Sequence, residues 1–83
     1  MDFEKLDVWK MATKLSISVY KELQELRDYG FKDQITRSSL LIPSNIAEGM
    51  TRNSYKEKLQ FLSIAKGSCS ELRTQVYFGQ NTQ

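Results

Sequence analysis

Few side chains on this chain could do covalent chemistry. There is one thiol, Cys69, and no histidine, and carboxylates such as Glu48 and Glu71 have no second acid at a spacing that would pair them. Ser-His and Cys-His nucleophile pairs are therefore out of reach, and the common zinc, iron and copper ligand sets cannot be assembled from one chain. General acid and base catalysis needs positioned groups with tuned pKa values, and the spacing offers none. The expectation is a protein that is not an enzyme, with no catalytic residue, metal or cofactor.

Two other groups of side chains stand out. Ser38, Ser39, Ser44 and Asn45 crowd around Pro43. Proline cannot donate to the carbonyl four residues back, so Pro43 frees the carbonyl of Ser39. A polar site there is one reading. The stronger one is structural, with small hydroxyl residues allowing close helix approach and a buried Asn45 setting register between helices. The second group is cationic. Residues 1 to 36 hold six basic and seven acidic groups, residues 37 to 83 six basic and three acidic, so the second half carries the whole excess behind the net charge of +2. Arg37, Arg52, Lys56, Lys58 and Lys66 are the candidates for contact with nucleic-acid phosphates, against the plainer reading of solvated helix-surface charge.

Three amphipathic segments must carry these residues. Trp9, Ala12, Leu15, Val19, Leu23 and Leu26 recur at steps of three and four and predict a helix over about 8–26, capped by Asp7, with Phe3 and Leu6 folding back on its first turn. Gly30 reads as the stop. A second helix over about 31–48 keeps its apolar stripe of Phe31, Ile35, Ile42 and Ile46 through Pro43, bending there and closing at Gly49. Ser54 to Glu57 fits a capping box, so a third helix starts at Tyr55 and runs to about 78, with Gln80 to Gln83 frayed. Tyr55, Leu62, Cys69 and Val76 fall seven apart, and Ala65 and Leu72 fill the alternate seam positions. Cys69 on that seam reads as a small core residue and not as a reactive thiol. The run Gly67 to Ser70 would let another backbone come close.

A composition of 40% hydrophobic and 27% charged residues suits one soluble helical domain over 1–83. The longest apolar run, Leu40 to Ile42, is far too short to span a membrane, the first residues are too charged for a secretory signal, and a lone cysteine agrees with a reducing compartment, so a cytoplasmic location is expected. Three such helices leave one seam partly uncovered, which predicts a homo-oligomer with Pro43, Asn45, Leu62, Cys69, Leu72 and Val76 at packing or oligomer contacts.

The segments Phe3 to Ala12, Gln34 to Arg37, Ile42 to Gly49, Phe61 to Ser68 and Glu71-Leu72 together resemble the four-helix-bundle family of 23S rRNA-intervening-sequence proteins. The likeness runs over nearly the whole chain, its most specific parts being Ile-Pro-Ser-Asn-Ile-Ala-Glu-Gly followed by Arg52, and Ala-Lys-Gly-Ser before Glu71-Leu72. It implies a small bacterial all-α, up-and-down antiparallel bundle of the four-helix type, with three helices expected in this chain and the fourth missing from it. A related branch is the accessory variability determinant of diversity-generating retroelements. Through that branch the resemblance implies a pentamer associated with RNA or DNA and with a reverse transcriptase. Two functions follow as expectations: a non-enzymatic, self-associating bundle protein acting as a nucleic-acid-binding accessory, or a protein-interaction adaptor that accepts a partner helix on its uncovered seam.

Overall fold

The computed structural model describes residues 3–82 and contains, among them, three α-helices and no strand. A single 3-10 turn, Phe3–Lys5, leads into α1, Asp7–Glu22. The Phe3 ring meets Trp9 edge-on at 5.4 Å, and Leu6 packs against the core, so the expected apolar clip is present. Asp7 is not the cap: Leu6 occupies that position without a side-chain bond, and Asp7 is the first helical residue. There its carboxylate still faces the positive end of the helix dipole.

α1 stops four residues earlier than its apolar spacing suggests. A turn at Leu23–Glu25 follows it, and the Leu26 amide bonds to the Leu23 carbonyl at 3.1 Å. Leu23 and Leu26 nevertheless reach the same apolar end of the molecule, because a turn can keep both on one side. α2 spans Tyr29–Met50 and is capped by Asp28, whose Oδ1 accepts from the Phe31 amide at 3.2 Å. Gly30 therefore does not end α1; it sits in the first turn of α2, and no described glycine has positive φ.

α2 runs through Pro43 as one helix. Gly49 is inside it and buried, where a Cβ would lie 3.1 Å from Phe61 Cβ and 3.4 Å from the Lys58 carbonyl oxygen. Its role is close approach to the third helix and not termination. That helix, α3, covers Tyr55–Thr82, with Ser54 Oγ accepting from the Glu57 amide at 3.3 Å. It continues past Gly79, which receives the Phe31 ring 3.2 Å from where a Cβ would stand, so Gln80 to Thr82 are helical and only Gln83 of the expected frayed end lies outside the described residues.

α2 is the middle of the molecule. It packs on both α1 and α3, whereas α1 and α3 do not pack on each other. Gly49 lies against Phe61, Ser38 against Glu71 and Phe31 against Phe78, so α2 and α3 are antiparallel. The buried apolar core is small: Ala12, Ile35, Ile42, Ile46, Ala65 and Leu72. Much of the remaining buried surface belongs to Ser16, Ser38, Ser39, Pro43, Gly49 and Ser68, small residues that let α2 approach both neighbours.

Candidate interaction groove

Because α1 and α3 flank α2 without touching, a groove runs between them with α2 as its floor. Ile42 and Ile46 line the floor, Val8, Met11 and Leu15 the α1 wall, and Leu62 and Cys69 the α3 wall. Further along, Leu15 and Ile42 face Leu72 and Val76, and the groove ends among Val19, Leu23, Phe31 and Gly79. Met11 is 71% exposed and Val8 56% exposed. Such apolar side chains, contiguous along a concave surface, exceed the scattered exposure normal on a monomer.

The sequence explains this double use of α3. Ala65, Ser68 and Leu72 turn inward to α2, and Ala65 and Ser68 are small enough to let the helices come close there. The heptad line Tyr55, Leu62, Cys69 and Val76 is displaced around the helix from that strip, and all four are exposed. Cys69 is thus a groove-wall residue and not the core residue its seam position suggests. Of the other packing candidates, Leu72 and Pro43 are buried, while Leu62 and Val76 are more than a third exposed at the groove. Asn45 does not set register between helices: its Nδ2 donates to the Leu41 carbonyl of its own helix at 2.7 Å. Gly67 meets nothing within 4 Å, so in that run only Ser68 serves close packing.

The polar cluster around Pro43 is consumed by packing. Ser16 Oγ of α1 lies 2.7 Å from the Ser39 carbonyl oxygen and 3.1 Å from that of Ala12, so one hydroxyl serves the acceptor that Pro43 leaves open. Ser38 Oγ lies 3.0 Å from the Gln34 carbonyl and 2.9 Å from Glu71 Oε1, tying α2 to α3. Ser39 Oγ donates to the Thr36 carbonyl at 2.8 Å. Ser44 is exposed.

The five cations do not converge. Arg37 lies on the α1/α2 side near Tyr20, Lys32 and Leu40. Arg52 pairs with Glu48 at 2.7 Å and its guanidinium sits 4.8 Å above the Phe61 ring. Lys56 is exposed and Lys58 half-buried in the first turns of α3, and Lys66 stands on the groove's α3 rim. Sequence reasoning placed Leu15 on the core stripe of α1 and left out Val8 and Met11, which form with it a second apolar stripe beside the buried one, and their spacing of three and four was the available signal.

Comparison with protein families decides the relationship. A family described as 23S rRNA-intervening sequence protein matches residues 4–83. The chain belongs to that family. No curated protein matches it individually. In this intervening-sequence protein the segment Ile42 to Gly49 supplies the floor of the groove and the α2/α3 crossing, and the segment Phe61 to Leu72 supplies the opposing wall. No helix among the described residues is long and apolar enough to cross a membrane.

Proposed function

We propose that this intervening-sequence protein is a non-enzymatic assembly protein whose groove between α1 and α3 takes up a further helix, giving a bundle of the four-helix type. The observation that supports it is the floor of Ile42 and Ile46 left open between walls of exposed apolar side chains. A helix laid there would bury those walls, and burial gains about 25 cal/mol for each Å² of apolar surface. Self-association and the adaptor role are two forms of this reading and differ in whose helix fills the groove. Association with RNA, DNA or a reverse transcriptase belongs to an assembled form, in which symmetry-related copies repeat the dispersed cations and multivalency raises a weak affinity.

The test compares the wild type with Leu15→Glu and Leu62→Glu, one on each wall. Both positions are exposed enough to hold a carboxylate without unfolding the chain. Circular dichroism should be unchanged, while binding of a hydrophobic dye or the associated mass in sedimentation equilibrium should fall. If the folded variants alter neither quantity, the groove is not a docking surface.

A further inference from the structure

The cations of residues 37 to 83 are scattered, but those of α1 are not. From Val8 to Lys21 that helix carries Lys10, Lys14 and Lys21 and no acidic residue. The acids that balance them sit at the helix ends: Asp7 opens α1, Glu22 and Glu25 close it, and Asp28 caps α2. Lys14 and Lys21 follow Lys10 by four and eleven residues, so they fall within about 40° of it around the helix and form one row about 16 Å long. All three lysines are exposed, and none has an ion pair among the described residues.

The row stands on the outer ridge of α1, about 120° to 160° around the helix from Ser16, which touches α2. Between the row and that contact come Ile17 and Tyr20, 49% and 54% exposed. Tyr20 leans over a shallow cleft whose other side is α2, where Leu40 is 52% exposed beside Thr36, Arg37 and Lys32. Asp33 is the single acid in that lining, and Lys32 Nζ donates to the Gln24 carbonyl at 3.1 Å. No residue of the cleft lines the groove on the other side of α2, so a helix in the groove leaves this face open.

We infer that this face of α1 and α2 binds a single strand of nucleic acid, with phosphates on Lys10, Lys14 and Lys21 and a base stacked on the Tyr20 ring beside Leu40. This rests on the nucleic-acid association proposed above and assigns it to one surface of one subunit. Exposed cations alongside an aromatic ring are what a single strand needs, since its phosphates follow the charges while its unpaired bases stack. A duplex keeps its bases stacked on each other and gains nothing from Tyr20. Lipid binding puts the apolar side chains outermost, whereas here the ammonium groups hold the ridge and the apolar groups lie toward the valley between the helices. A second copy related by a two-fold axis would set lysine row against lysine row.

The experiment titrates the chain into a labelled oligouridine of about fifteen nucleotides, near the upper end of single-strand site sizes, and into its duplex with oligoadenosine, by fluorescence anisotropy. Lys10→Gln/Lys14→Gln/Lys21→Gln is compared with Lys56→Gln/Lys58→Gln/Lys66→Gln, which removes the same charge from α3, and with Tyr20→Leu. The α1 triple variant should lose about tenfold more affinity for the strand than the α3 triple, and its slope of log K against log salt should flatten by about 2. Tyr20→Leu should weaken the strand about tenfold with the slope unchanged. Equal losses from the two triple variants overturn the α1 face while leaving nucleic-acid association standing. A duplex bound as tightly as the strand, with Tyr20→Leu silent, overturns the single strand. If the wild type binds neither, the association fails together with the inference. Binding instead to vesicles of phosphatidylserine and phosphatidylcholine through the same lysines would make the face a lipid surface, and a change of sedimentation mass in the α1 variant without loss of strand affinity would make it a contact between copies. Either result sinks the inference.

Discussion

The Ser16 hydroxyl of α1 donates to the Ser39 carbonyl of α2 across 2.7 Å, at the acceptor that Pro43 cannot serve. Ser39 is fully buried, so without this partner its carbonyl would be an unsatisfied polar group in the core. The proline therefore creates an acceptor on α2, and α1 answers it.

Ser16→Ala should accordingly destabilise the fold by about 1–3 kcal/mol, the usual cost of orphaning a buried acceptor. In a Pro43→Ala background the new amide can bond to the Ser39 carbonyl within the helix, and the cost of Ser16→Ala should shrink. A double-mutant cycle by urea denaturation measures the coupling. Additive costs would show that Ser16 stabilises the fold by packing alone.

Two glycines should respond in opposite directions. Gly49→Ala pushes a methyl group against the Phe61 Cβ and the Lys58 carbonyl, neither of which is the far end of a flexible side chain, so α2 and α3 must separate. A loss of about 1–3 kcal/mol is expected. Gly67→Ala has open space and should gain about 0.5–1 kcal/mol through helix propensity. Thermal or urea melts of the two variants decide this, and a stabilising Gly49→Ala would mean that the crossing is looser than described.

Cys69 should report on the groove. It is exposed on the α3 wall, so a maleimide should label the native chain nearly as fast as the urea-unfolded one. A helix bound in the groove should slow the reaction. Strong protection in the isolated chain at low concentration would show that the wall is already covered.

For nucleic acid, the contribution of each cation should follow its surroundings. Arg52 already faces Glu48 and Phe61, so Arg52→Gln should change the salt dependence of RNA binding less than Lys56→Gln. A substitution that removes one cation–phosphate pair should flatten the slope of log K against log salt by about 0.7 to 0.9. Anisotropy titrations on structured RNA and duplex DNA provide the measurement, and no binding of either at low salt would remove the accessory role from this chain.

Local rules were enough for the elements. Apolar residues at steps of three and four marked all three helices, Ser54 marked the start of α3, and the segments around Pro43 and Ala65 carried the family likeness. These signals lie within a few turns of chain, where spacing and capping act directly. The true start of α2 was harder to read, because Asp28 and Gly30 are both turn formers and only the bond from the Phe31 amide chose between them. The partner of the Ser39 carbonyl, the exposure of Cys69 and the gap between α1 and α3 were settled by tertiary structure alone. Helical periodicity says that a face is apolar and not which neighbour covers it. That depended on how closely Ser38, Ser39 and Gly49 let α2 approach the other two helices, a property of packing between residues 12 to 33 positions apart in the sequence.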